Sequence, residues 1–294
     1  MLRAVNRVSA GHGWLWVKRG VAVFRKDPAL WLAMAFVYLA IALVLGLIPF
    51  IGWLILVLFT PLCMLGALPV ALALSAPVNA GGAENAGAVF PQLPPDVDST
   101  PPAQRDMRYW LQHLREHFKR AARTLFQGLS EEDKLLPVMV IGTLLLGGVV
   151  AINILAQLLR VGGAALPAML SGNVSPTVWI TALIGLLVVL TLQALLLMAF
   201  LYTVPLIAFR REHPLPSIEL SFSGTAKNMG AFSIFATVFA VAGEAMRMLF
   251  LRLVFPFDYL AFIVVGLVAL PVFIAALHAS YQDLYAARPS LPAG

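Results

Sequence analysis

Charge is scarce in this sequence. Asp, Glu, Lys and Arg together make up 12% of its 294 residues, against 61% hydrophobic ones. Soluble domains carry roughly 25% charged residues. This chain has too few charges to coat a water-facing surface around so much apolar side chain, which argues against a soluble enzyme and equally against a disordered chain. Cysteine is nearly absent: Cys63 stands alone in an apolar run, so no intrachain disulfide can form. The motifs of known chemistry are missing too. There is no phosphate-binding loop, no G-x-S-x-G elbow, no C-x-x-C and no H-E-x-x-H. His113 to His117 spells H-x-x-E-H, yet no third ligand follows and no soluble domain surrounds it. No metal, no cofactor and no nucleic-acid partner is expected, and the chain reads as non-enzymatic. The first ten residues hold Arg3 and Arg7 and no apolar stretch, so a cleavable signal peptide is not expected.

What is abundant is long apolar sequence. A helix crosses about 30 Å of hydrocarbon in about 20 residues, and six stretches qualify. Ala29 to Ile48 comes first, then a turn at Pro49 to Gly52, then Trp53 to Ala76, in which Pro61 and Pro69 predict a kink or a break. The third runs from Leu136 to Leu159. The fourth, Val178 to Ala208, is overlong, and Pro205 is expected to mark its end. Met229 to Leu253 is the fifth, and Tyr259 to Ala279, with Pro271 inside, the sixth. The expected fold is therefore all-α: a polytopic membrane bundle of about six transmembrane helices, with amphipathic interfacial helices on the cytoplasmic side.

Basic residues give the orientation. Of the 20 Lys and Arg, 17 fall before the first span, in the two even-numbered connections or in the tail. Arg160, Arg247 and Arg252 are the others. The positive-inside rule then puts both termini in the cytoplasm. Residues 77–103 differ from everything around them, with six prolines, three glycines, three acids and no Lys or Arg, and read as a disordered linker. The chain thus divides into a cytoplasmic amphipathic segment (1–28), a first hairpin (29–76), the linker (77–103), a basic amphipathic helix (104–134), a second hairpin (135–208), a cytoplasmic connection (209–228), a third hairpin (229–279) and a cytoplasmic tail (280–294).

The basic helix has the clearest periodicity. Met107, Trp110, Leu111, Leu114, Phe118, Ala121, Leu125 and Leu129 recur at helical spacing, with Arg108, Arg115, Lys119 and Arg123 opposite. Two readings stand: a helix lying in the inner interface, or one packed on the protein's own bundle. Before the first span, Trp14, Val17, Val21 and Phe24 share a face. Before the fifth, Ile218, Phe222 and Ala226 are spaced by four. Trp14, Trp16, Trp110, Phe118, Arg115, Lys119 and Arg123 are the expected membrane-interface contacts, the aromatics by anchoring and the cations by meeting anionic headgroups.

Span five holds the one unusual charge. Ser233, Thr237, Ala240, Glu244 and Arg247 form a stripe, beside Ala236, that should face the bundle interior, because small residues let helices approach. Glu244 lies about 22 Å along the helix from Met229. A charge at that depth must be paired or protonated, and Arg247 three residues on is the partner to hand. The pair reads either as a structural neutralisation or as part of an ion or solute pathway.

Several short motifs also carry a resemblance. Gly13-Trp14 with Trp16, Phe24 to Pro28 with Trp31, Pro49 and Gly52, Pro61 and Gly66, Leu220-Ser221-Phe222 with Lys227-Asn228, and Ser280 to Tyr285 together resemble an uncharacterised family of proteobacterial, mainly beta-proteobacterial, polytopic integral inner-membrane proteins. The resemblance spans nearly the whole chain outside the linker. It implies a multi-span inner-membrane protein and brings no catalytic residues. Residue by residue the motifs read as architecture: Asp27-Pro28, for example, suits a helix start. The expected role is membrane-organising or partner-binding, with the anionic bilayer and a membrane protein or second copy as partners. The alternative is a small-solute or ion transporter or channel using Glu244 and Arg247.

Overall fold

Sequence-local signals start α2 and α8, and one side chain from a neighbouring helix decides the main break. The computed structural model describes residues 5–75, 107–159, 176–253 and 258–285, and those residues form helices and no strand. The linker at 77–103 and the basic residues Arg3, Arg105, Arg160 and Arg288 lie outside the described residues. In chain order the helices are α1 (His12–Phe24), α2 (Pro28–Gly46), α3 (Ile51–Ser75), α4 (Met107–Gln127), α5 (Glu132–Leu158), α6 (Pro176–Phe200), α7 (Thr203–Arg210), α8 (Pro214–Lys227), α9 (Met229–Leu253) and α10 (Asp258–Tyr285).

Five helices are long and apolar enough to cross a membrane: α2, α3, α5, the stretch Trp179–Arg210 from α6 into α7, and Val265–Tyr285 of α10. A sixth is reached only by taking α8 together with Met229–Ala245 of α9, and these two meet at 89°. The all-helical expectation holds, and the expected six spans become five plus a bent pair.

The first hairpin follows its sequence closely. The Asp27 side chain accepts from the Leu30 N–H at 3.0 Å, and Pro28 fills the first helical position, where its missing N–H costs nothing. Between α2 and α3 the Ile51 N–H donates to the Pro49 carbonyl at 2.7 Å, and Phe50 sits at the turn with φ 62°. α3 differs from expectation. It runs as one helix from Ile51 to Ser75 through both Pro61 and Pro69, enclosed by α2, α4, α5, α7 and α10. Packing on so many sides holds the helix together where each proline removes one ladder bond.

The overlong fourth stretch does break, though not where expected. α6 ends at Phe200 and α7 begins at Thr203, so Pro205 lies in the first turn of a new helix instead of closing the old one. A proline ring clashes with the carbonyl four residues earlier, here Leu201, so the chain must leave the helix before that point. Ser221 of α8 completes the break. Its hydroxyl accepts from the Tyr202 N–H at 3.0 Å and donates to the Met198 carbonyl at 2.9 Å. Those are the two groups that an unbroken helix would have joined directly. A side chain inserted into the ladder is a recognised cause of a sharp bend. α7 then stops at Arg211, which takes a left-handed conformation with φ 54°.

The connection at 209–228 holds α8, as the four-residue spacing of Ile218, Phe222 and Ala226 suggests. One domain edge differs. The tail expected from residue 280 begins later, because α10 continues to Tyr285 and its last turns are core: Ser280, Tyr281, Leu284 and Tyr285 are all buried.

The Ser221 bridge is testable. Ser221→Ala strands the buried Tyr202 N–H, whereas the Met198 carbonyl keeps the Thr225 hydroxyl at 3.2 Å, a loss of about 1–3 kcal/mol. Thermal unfolding of the purified chain in mild detergent should show a clearly lower Tm for Ser221→Ala, and an unchanged one for the exposed Ala226→Ser.

Candidate membrane-interface site

α1, α4, α7, α8 and the last turns of α10 gather at one end of the bundle, since α2 leaves from it, α3 returns to it, and the later long helices alternate likewise. The sequence-predicted interface residues are on this end. The structure sorts them into two groups.

α4 supplies the exposed group. Arg115, Lys119 and Arg123 share its outer face and are exposed. Glu116 is the one acid among them. Lys119 donates to it at 2.7 Å and holds its carboxyl below the usual carboxylate range. The opposite face is packed: Ala121, Thr124 and Leu125 are buried, and Phe118 meets Phe36 of α2 edge-on at 5.3 Å. Gly66 of α3 makes this contact possible, because a Cβ there would overlap the Leu125 and Thr124 carbonyls. Of the two readings for this helix, the structure therefore shows docking on the bundle for its C-terminal half, with the basic face turned outwards. Phe118, expected at the membrane interface, is half-buried against protein. The Trp110 side chain lies outside the described residues.

α1 presents a different face from the one its apolar spacing predicts. Buried are Gly13, Trp16, Val17, Gly20 and Val23. Trp14 is 48% exposed, with the Lys18 ammonium 5.6 Å from its ring centre. Gly13 lies against the Ala231 carbonyl of α9 and Gly20 against Ala276 and the Val272 carbonyl of α10, so the small residues, and not the large ones, mark the contact line. Trp16 is a correction: it is 0% exposed and therefore belongs to the protein interior. Its ring packs on Phe232 at 5.3 Å, and its Nε1–H donates to Asp283 Oδ2 at 2.9 Å. A buried indole needs such an acceptor, and the sequence supplies it at the far end of the chain.

Asp283 is the residue that sequence reasoning missed. Besides Trp16 it takes both oxygens to Arg19, at 2.8 and 3.0 Å. The segment before α1 is tied alongside. The Asn6 N–H donates to the Leu284 carbonyl at 3.0 Å, and Asn228 grips the same segment by accepting from the Val8 N–H at 2.8 Å and donating to the Asn6 carbonyl at 3.0 Å. Asn228 is also the corner between α8 and α9. Tyr202 donates to Ser280 at 2.6 Å and Tyr285 to the Leu220 carbonyl at 2.9 Å. Trp16, Leu220, Ser221, Asn228, Ser280, Asp283 and Tyr285, which all belong to the motifs carrying the family resemblance, converge here. That convergence was the only available signal.

α8 turns its face outwards in the opposite sense. Its inner side is Ser217, Ser221, Gly224 and Thr225, whereas Leu215 is 71% and Phe222 40% exposed.

Away from this end, the stripe on α9 is also a correction. Ser233, Ala236, Thr237, Ala240 and Glu244 are exposed on the outside of the bundle. The inward face is aromatic, with Phe235 buried and Phe232 and Phe239 packed beside it. Rings bury more apolar area than small side chains, and α1 and α10 offer them partners in Trp16 and Phe273. The Arg247 side chain lies outside the described residues. Among the described residues no group of three or more His, Cys, Asp or Glu could hold a metal.

Asp283→Ala should strand the Trp16 N–H and release Arg19, costing about 2 kcal/mol, with faster hydrogen exchange over residues 5–24. Asp283→Asn keeps an acceptor for Trp16 and should cost less than half as much. Unchanged exchange in the alanine variant would show that Asp283 does not hold α1. Comparison with known protein families, with curated proteins and with solved structures finds no match for this chain, so the geometry alone carries the functional reading.

Proposed function

We propose that this chain is a multi-pass, non-enzymatic protein of a bacterial inner membrane, with both termini cytoplasmic, that organises the bilayer around it by holding anionic headgroups at its basic end. The observation that carries the reading is the fixed orientation of α4. Its apolar edge is locked on α2 and α3, so Arg115, Lys119 and Arg123 cannot turn inwards. Exposed Trp14, Lys18 and Arg25 of α1 and exposed Leu215, Phe222 and Lys227 of α8 lie at the same end. Apolar anchors interleaved with cations are what an interface of acyl chain and anionic headgroup requires.

The outward position of Glu244 supports this reading over transport through the bundle. So does the use of the buried hydroxyls of Ser221 in α8 and Ser280 in α10 in bonds to the break between α6 and α7.

Each Lys or Arg beside an anionic surface contributes about 1 kcal/mol. Phosphatidylglycerol added to the detergent-purified chain should therefore raise its Tm, phosphatidylcholine should not, and the rise should shrink as salt increases. Arg115→Glu with Lys119→Glu and Arg123→Glu should abolish most of that rise while leaving the Tm without lipid nearly unchanged. An equal response to both lipids would sink the proposal.

A further inference from the structure

The helices enclose a cavity of about 110 Å³ between α2, α3 and α10, with Leu125 of α4 at its edge. One end is closed by Trp31, Met34, Cys63 and Ala67, all buried. Towards Tyr38 and Phe273 the lining is half-buried, so the cavity opens away from the basic end, along the apolar length of the helices. Tyr38 lies seven residues beyond Trp31 on α2, about 10 Å along the helix axis.

Its chemistry is uneven in an informative way. Among the described residues its walls are apolar and no charged side chain lines them. The Tyr38 and Thr60 hydroxyls pair with each other at 2.9 Å, and Thr60 donates onward to the Leu56 carbonyl. The indole N–H of Trp31, by contrast, is buried without an acceptor. Buried donors are rarely left so.

We propose that this cavity binds a membrane-dissolved lipid with a flat, uncharged, carbonyl-bearing ring, of the quinone class. A phosphate headgroup is disfavoured, because no Lys, Arg or His lines the cavity among the described residues. A bare alkyl chain would leave the Trp31 N–H unmatched, whereas a ring carbonyl accepts from it. Trp31, Tyr38 and Phe273 offer faces and edges to a flat ring. The volume is of the scale of a single ring: apolar cavities of about 150 Å³ stay dry and take up benzene. The hydrocarbon tail leaves through the open side into the bilayer. The site rests on the membrane reading above but not on the headgroup contacts of α4.

Cys63 lines the cavity and is the only cysteine, so its reaction with a maleimide reports occupancy. With the full chain in nanodiscs, decylubiquinone should slow that reaction at least fivefold, saturably, and raise the Tm. Decylbenzene, which has ring and tail but no carbonyl, should do neither at the same concentration. Trp31→Phe keeps a ring and removes the donor, and should raise the half-saturating quinone concentration five- to tenfold, read by the Tm shift as well as by Cys63. Equal effects of decylbenzene, an unshifted titration in Trp31→Phe, or neither protection nor a Tm shift in the wild-type chain would overturn the site. Charge reversal at Arg115, Lys119 and Arg123 should leave the quinone titration unchanged. Recovery of the intact chain as a water-soluble monomer would overturn the membrane reading and this site with it.

Discussion

The bond between Asp283 and the N-terminal helix fixes the rest of the basic end. Asp283 stands in the last turn of α10, yet its carboxylate meets Trp16 and Arg19 of α1. The ion pair alone is partly exposed and worth little. The weight lies in Trp16, a large buried ring packed with Phe232, Phe235 and the core of α10, whose polar atom has this one outlet. With Trp16 seated, Gly13 and Gly20 bring α1 against α9 and α10, and the face carrying Trp14 and Lys18 must turn outwards. The outer chemistry of α1 thus follows from an inner hydrogen bond.

The same logic recurs at α8. A helix with its hydroxyls outside and its apolar residues inside would be ordinary in water. Here Ser217, Ser221 and Thr225 point inwards, where Ser221 and Thr225 satisfy backbone groups freed by the break before Pro205, and Leu215 and Phe222 point outwards. Leu215 and Phe222 stand there beside the exposed Glu219 and Lys227, a mixture that suits the boundary between an apolar medium and water. This supports placing the end at the edge of a bilayer, and it explains why the break and the surface helix occur together.

Most of the long apolar helices were legible because apolar length is a sum over neighbours in sequence. The start of α2 was legible too, since Asp27 and Pro28 act on their own helix. The basic face of α4 could be read from spacing, because cations and apolar residues both register in the pattern. The buried faces of α1 and α9 were misread from opposite signals. On α1 the face was chosen by the spacing of large apolar residues, on α9 by a stripe of small and hydroxylated ones. On α1 the contact line is instead marked by Gly13 and Gly20, which add no apolar signal. On α9 small residues suggested close approach, and aromatic area outweighed them. Trp16 read as an interface anchor because its acceptor stands 267 positions away. The break at Tyr202 needed a hydroxyl from another helix, and the Pro205 signal alone put it several residues late.

The ties between the segment at 5–8 and the last turn of α10 reach across almost the entire chain, with Asn6 and Asp283 separated by 277 residues. Contacts so distant form only after the intervening polypeptide exists. On the ribosome, then, the first surface helix is made long before its seat, and α1 must wait unanchored, with Trp16 uncovered, until translation of α10 is complete. Truncation of even the final helical turn would be felt at the beginning of the protein, where Trp16 and Arg19 would lose Asp283.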